Sequence, residues 1–184
     1  MIVLASASPR RRELMEKTGL EFSVCPAKDE IDPPPSLPPT EYALQSALYK
    51  AREVAKRFSA EDIIIGADTV VFAGEVIMGK PRDKQDAFRM LKALSGKGHK
   101  VCTGYAIIKG GRELTGCAVT EVYFREISDE ETEDYISTGE PMDKAGAYGI
   151  QGKAALFVER IDGDYFNVVG LPLCEIYSKL KEIM

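Results

Sequence analysis

Ile63-Ile64-Ile65-Gly66-Ala67-Asp68-Thr69-Val70-Val71-Phe72-Ala73-Gly74-Glu75-Val76-Ile77-Met78 is the stretch on which the fold turns. Three consecutive β-branched isoleucines predict a strand buried on both faces, running over 62–67 and ending at Asp68-Thr69. Residues 70–72 and 76–78 flank Gly74-Glu75 and predict a hairpin. Upstream, residues 2–5 form a short apolar strand, and Ser8-Pro9 starts a helix, with serine at the N-cap and proline at the first helical position. That helix is expected to run to Gly19, before a strand over 22–25 and a proline-rich loop over 27–39. Thr40 is expected to cap a second helix. Its core stripe is Leu44, Ala47, Leu48, Ala51, Ala55 and Phe58, with Lys50 bordering the buried face.

Downstream, Asp83 starts a helix with Ala87, Met90, Leu91 and Leu94 inward and Gly96 after its end. Residues 101–109 and 114–124, joined by Gly110-Gly111, predict a long antiparallel pair. Ser128-x-x-Glu131 is a capping box for a helix reaching about Ser137. A glycine-punctuated stretch over 139–152 precedes a strand over 154–159, a turn at Asp162-Gly163 and a last helix from about Pro172. Strands and helices alternate irregularly, with antiparallel pairing in the middle. The expected class is mixed α/β with a partly antiparallel sheet flanked by helices, not a doubly wound parallel sheet. The length of 184 residues predicts a single domain over 1–184.

Composition narrows the function classes. Twenty-four Lys and Arg against twenty-nine Asp and Glu give a net charge of −5, which opposes bulk attraction to nucleic acid or anionic lipid. No apolar run is long enough to span a membrane, and no secretory signal is read, so a cytoplasmic protein is expected. Cys25, Cys102, Cys117 and Cys174 have no C-x-x-C spacing, and one histidine completes no zinc set; four reduced, mostly buried thiols are expected. His99, between glycines and lysines, is expected in a solvated turn without a catalytic role.

Four stretches could carry chemistry. Arg10, Arg11 and Arg12 crowd the first turn of a helix, where positive charge is unfavourable unless an anion binds; helix-forming arginines on a wet face are the plainer explanation. Guanidinium forks suit phosphate, so this is the leading phosphate site. Asp68 is rigidly placed at its strand, as a general base or metal ligand requires, although a turn-capping aspartate explains it equally well in isolation. The run from Gly74 to Lys80 fits the Walker A spacing, but Pro81 supplies neither hydroxyl nor amide, and valine and isoleucine make it a strand. A P-loop is rejected, while Lys80 can still reach a phosphate. In the fourth stretch, glycines around Asp143, Lys144 and Gln151 permit close backbone approach to a ligand, and Gln151 offers both a donor and an acceptor to a base edge. An ordinary surface loop is the alternative there. Cations, a strand-borne acid and a polar glycine loop together fit phosphoryl chemistry on a nucleotide better than acyl transfer.

The stretches LASASPRRRELM (4–15), GADTVV (66–71), GEVIMGKPRD (74–83), LSGKGHKVCTG (94–104), EPMDKAGAYGIQG (140–152) and VVGLPL (168–173) resemble the Maf family of nucleoside triphosphate pyrophosphatases. The resemblance covers essentially the whole chain. It implies a Maf/ITPase-like elongated sheet with a cleft between two lobes, and hydrolysis between the α- and β-phosphates with a divalent cation, Mg²⁺ or Mn²⁺. It carries Asp68 over as catalytic acid/base and metal contact, and Ser8, Arg11, Lys50 and Lys80 as substrate-binding residues. A second acid is expected near 28–32, where Glu30 is chosen for the metal and Asp32 is the alternative. Arg10, Thr69 and Gln151 match the dTTP/UTP branch at three specificity positions. A branch acting on 7-methyl-GTP has Trp, Gln and Glu there. The alternatives are the same reaction on 7-methyl-GTP or another non-standard nucleotide, and a non-catalytic nucleotide-binding regulator of septum formation. The implied partner is the nucleotide itself, with no nucleic acid and no membrane, and a homodimer is left open.

Overall fold

The computed structural model describes residues 1–29, 33–34 and 36–184. Among the described residues seven strands form one sheet: β1 (Ile2–Leu4), β2 (Phe22–Val24), β3 (Ile63–Ala73), β4 (Val76–Met78), β5 (Gly98–Lys109), β6 (Arg112–Phe124) and β7 (Val158–Asp162). Their order is β2-β1-β3-β5-β6-β7, with β4 also on β3. β1 lies parallel to β2 and β3, and every other pairing is antiparallel. The mixed sheet is therefore as the isoleucine stretch predicts, except that its strand does not end at Asp68-Thr69. It continues through both residues to Ala73, because the hydrogen-bonded register with β5 holds from Ile64 to Phe72.

The helices are α1 (Pro9–Glu16), α2 (Pro39–Ala55), α3 (Lys84–Leu94), α4 (Asp129–Ser137), α5 (Tyr165–Val169) and α6 (Leu173–Ile183). The Ser8 hydroxyl caps α1 and Asp83 caps α3, while α4 carries both halves of its capping box. α1 ends at Glu16, three residues short of expectation, with Gly19 left-handed in the following turn. Thr40 does not cap α2. The helix starts at Pro39 without a side-chain cap, so Thr40 already lies inside its first turn, and Pro39 suits the first helical position because its missing N–H would have no partner there.

One face of the sheet is covered by α2, whose buried residues are Ala43, Ser46, Ala47, Ala51 and Val54. The expected stripe is thus rotated, and Leu44, Leu48, Ala55 and Phe58 lie at its half-buried margins. Small residues win the contact because the helix backbone rests on glycine. A side chain at Gly66 would collide with Ala47 and Ala51, and one at Gly104 with Ala43 and Leu44. On the opposite face, two apolar clusters sit side by side. One joins Leu14, Ile63, Ile65, Tyr105, Ile176 and Leu180; the other joins Val71, Leu91, Leu94, Val122, Phe124 and Tyr135.

Further corrections follow from burial. His99 lies in β5 at 3% exposure, not in a solvated turn, since the β5–β6 register extends to Gly98. Cys102 and Cys117 form a disulfide between β5 and β6, so four reduced thiols are not what the fold holds; Cys25 is half-buried and Cys174 exposed. Both bridged residues lie on the α2 side of adjacent strands, a proximity that a sequence gap gives no hint of. Residues 154–159 split into a 3₁₀ turn (Lys153–Leu156) and the start of β7. The short α5, capped by Asp164, precedes the final helix and had no expectation attached to it. Among the described residues no helix is long and apolar enough to cross a membrane.

Candidate active site

The site follows from a change of neighbour along β3. Its parallel register with β1 stops at Ile65, and its antiparallel register with β4 begins at Val71. Between these points that edge of β3 has no strand partner among the described residues. A crevice at such a switch of strand neighbours is where open α/β sheets bind ligands. Here the opening is a cavity of about 930 Å³ lined by Ser8, Arg10, Arg11, Lys50, Asp68, Thr69, Lys80 and Gln151, among others. The described residues singled out from the sequence for the site therefore meet in one place, Arg12 excepted. Glu30 and Asp32, the candidates for a second metal-holding acid, lie outside the described residues.

Asp68 and Thr69 are consecutive on a strand, so their side chains leave opposite faces of the sheet. Asp68 points to the α2 side, where Lys50 Nζ donates to its Oδ1 at 2.6 Å; the two side chains are 19% and 13% exposed. Lys50 reaches this point because α2 lies so close over Gly66 and Gly104. Thr69 points the other way and accepts from Arg11 Nη2 at 2.9 Å. Arg11 is held twice more, Nε donating to the Gly170 carbonyl at 2.8 Å and Nη1 to Ser6 Oγ at 3.2 Å. Gly170 has a φ of +127°, a conformation only glycine adopts without strain. Arg12 departs from the expected phosphate cluster: it turns outward to Glu16 and does not line the cavity.

The far wall is the glycine stretch, folded into 3₁₀ turns at Glu140–Asp143 and Ala145–Ala147. Glu140 templates it. Its carboxylate accepts from Tyr135 and from the Lys153 amide, and its carbonyl accepts from Lys144 Nζ at 2.7 Å. Gly149 and Gly152 leave the space that these side chains fill, since a Cβ at either would displace Lys144 or Glu140. The Gly146 amide bonds the Gly79 carbonyl and ties this wall to the segment bearing Lys80. Lys80 is exposed at the rim and pairs with no described residue. Lys144 also donates to Asp143 and holds its carboxyl below the ordinary range, with Arg10 adding to the effect. Ala147 is the one non-glycine at positive φ among the described residues, and Tyr148 beside it is buried against His99.

Sequence reasoning did not single out Glu140, Tyr42, Tyr148 or Gly170, which line the cavity, or Thr103 and Asn167 behind Thr69. A lone polar residue inside the apolar run at 165–169 was the available signal for Asn167. Five cationic and three acidic side chains line the cavity among the described residues, so a chain that is acidic overall presents a locally positive pocket. Among the described residues no three metal-ligating side chains cluster. The one acid on β3, a hard oxygen donor facing the cavity, nevertheless fits a magnesium-type ion, which uses one or two carboxylates and completes its shell with phosphate and water.

An α/β sheet of this design occurs in two solved structures. They are a HAM1 protein from Coxiella burnetii (TM-score 0.54, 17% identity, 98% of each chain) and the Staphylococcus aureus Ham1 protein (TM-score 0.52, 12% identity, 100% of this chain and 99% of that one). At those identities the likeness is one of fold. The family model described as Maf-like protein matches residues 1–183, and the chain belongs to that family. Relatives named dTTP/UTP pyrophosphatase are 56% identical in Thermococcus kodakarensis, over all of this chain and 96% of the relative. In Geobacter sulfurreducens the identity is 51%, over 99% of this chain and 96% of the relative.

Proposed function

We propose that the chain is a nucleoside triphosphate pyrophosphatase that hydrolyses dTTP and UTP to the monophosphate and pyrophosphate. One observation carries the reading: the Lys50–Asp68 pair sits in a cationic cavity into which the chain delivers Ser8, Arg10, Arg11, Thr69, Lys80 and Gln151 from four separate segments. The names of the relatives point to the same substrates.

In this reading Arg11, Lys50 and Lys80 bind the triphosphate, and the Ser8 hydroxyl at the start of α1 orients it. Asp68, held by Lys50, takes a proton from the attacking water. The water oxygen bonds to the α-phosphorus, the bond from that phosphorus to the bridging oxygen breaks, and pyrophosphate leaves into the field of the cations. Bound Mg²⁺ or Mn²⁺ would be held by Asp68, with Glu30 the second acid proposed, and would supply charge neutralisation for the phosphates. Gln151 presents a paired donor and acceptor to the mixed edge of uracil or thymine, where a glutamate would suit a donor-rich guanine edge. Arg10 and Thr69 complete the specificity set.

Pyrophosphate release from dTTP, UTP, CTP and 7-methyl-GTP, with Mg²⁺, with Mn²⁺ and with chelator, tests the reading. Metal-dependent turnover of dTTP and UTP is expected, and Asp68→Asn should lower kcat by about 10²-fold or more. A tenfold preference for a purine nucleotide, or near-native release by Asp68→Asn, would overturn it.

A further inference from the structure

Behind Thr69 runs a chain of hydrogen bonds whose direction can be worked out atom by atom. Thr103 Oγ1 lies 3.0 Å from the Asn167 carbonyl oxygen, which has no hydrogen to give, so Thr103 spends its only hydroxyl hydrogen there. Thr69 Oγ1 lies 2.9 Å from Thr103 Oγ1. With the Thr103 hydrogen already used, Thr69 must be the donor in that contact. Thr69 therefore has only lone pairs left, and one of them receives Arg11 Nη2–H.

Asn167 anchors the far end. It is fully buried, its Oδ1 accepts from the Thr103 amide, and its Nδ2 donates to the Val101 carbonyl and to Thr120 Oγ1. The Thr120 hydroxyl donates in turn to the Asp164 carbonyl. Thr103, Thr120 and Asn167 are each 0% exposed. They form a polar waist between the two apolar clusters on that face of the sheet. Such a waist is costly unless every member is satisfied, and a satisfied network holds each member to one orientation.

We propose that Thr103 and Asn167 are positioning residues for the triphosphate site: they hold the Thr69 hydroxyl as an acceptor and thereby aim the Arg11 guanidinium. This rests on the reading of Arg11 as a phosphate ligand. Two consequences follow. Thr69 offers a ligand an acceptor and no hydrogen, so any direct contact with a pyrimidine is to an N–H and not to a carbonyl oxygen. Replacing the Thr103 hydroxyl damages phosphate binding from behind the strand, without touching the ligand.

The test uses Thr103→Val, Thr103→Ser, Thr69→Val and the double variant, with calorimetric binding of inorganic pyrophosphate and steady-state kinetics on dTTP as readouts. Thr103→Val should weaken pyrophosphate binding and raise KM about tenfold, the loss of one hydrogen bond to a charged group, with kcat within about twofold. Thr103→Ser should restore both. Adding Thr103→Val to Thr69→Val should cost nothing more, because the link to Arg11 is already cut. Unchanged pyrophosphate affinity in Thr103→Val, or full additivity in the double variant, would overturn the inference. If Thr103→Val does not fold, Thr69→Val decides alone: it must weaken pyrophosphate binding to about the same degree, and native affinity sinks the idea. Pyrophosphate binding reads Arg11 without turnover. A chain that keeps this coupling but hydrolyses no nucleotide would condemn the catalytic reading and leave the positioning chain standing.

Discussion

His99 shows how burial decides the chemistry of a single residue. Its Nε2 lies 2.8 Å from the Tyr148 hydroxyl, its Nδ1 has no partner, and its ring packs edge-on against Phe124 and Tyr148. Removal from water pushes its pKa down to about 4 from the ordinary 6.5, so the folded protein keeps it neutral. The unfolded chain binds the proton first as pH falls. Stability from this residue is therefore complete above about 6.5 and lost as pH drops toward 4, on the order of 3 kcal/mol in full. Urea midpoints measured at pH 7 and pH 5 should fall in the native protein and change less in His99→Gln. Equal falls would show that other groups carry the effect. The flanking residues, Gly98 and Lys100, gave the opposite expectation, because the partner that buries His99 lies 49 residues away at Tyr148. With Gln151 reading the base as proposed, Gln151→Glu should lower kcat/KM for dTTP about tenfold or more, through loss of the paired donor and acceptor, and a panel of nucleotides checks it.

At the scale of elements, the contact of α2 with the sheet sets where Lys50 can reach. Gly104→Ala would drive a methyl group into the backbone at Ala43, a group that cannot swing aside. A loss of about 2 kcal/mol or more in chemical denaturation is expected, with reduced turnover as α2 and Lys50 lift away from Asp68. Gly79→Ala is the control: nothing lies within 4 Å of its added carbon, and stability should stay native. The sequence showed where most elements lie, since Ser8-Pro9, Asp83 and the Ser128/Glu131 box announce their helices through local chemistry. It did not show which way α2 faces. Hydrophobicity favoured Leu44 and Leu48, and only the facing glycines of two strands reveal that alanine and serine make the contact.

Across the whole molecule, the cavity is assembled from residues near 5–11, 42–50, 68–71, 77–80, 140–152 and 168–170. The unusual local chemistry of the arginine turn, Asp68 and the glycine stretch made many of the cavity-lining residues legible. The supporting shell was not legible, because Thr103 and Asn167 are ordinary residues that matter only through contacts more than 60 positions apart in the chain. A ligand bridging so many segments should stabilise the entire fold. Pyrophosphate at a hundredfold excess over its Kd is expected to add about 2.7 kcal/mol and raise Tm by about 5–10 °C, read by a thermal melt. Arg11→Ala should lose most of that rise at the same concentration.

The pairing of Asp68 with Gly104 across β3 and β5 has a last consequence. A strand displaced by one residue turns every side chain to the other face. In such a molecule Ala67 would take the place beneath Lys50, and the glycine that makes room for α2 would be displaced with it. With Asp68 as the catalytic acid proposed above, activity would be quantised: a molecule either has the carboxylate under the helix or has none. Preparations refolded under poor conditions should differ in the fraction of molecules that turn over, counted by a single-turnover burst, while the KM of the competent fraction stays constant.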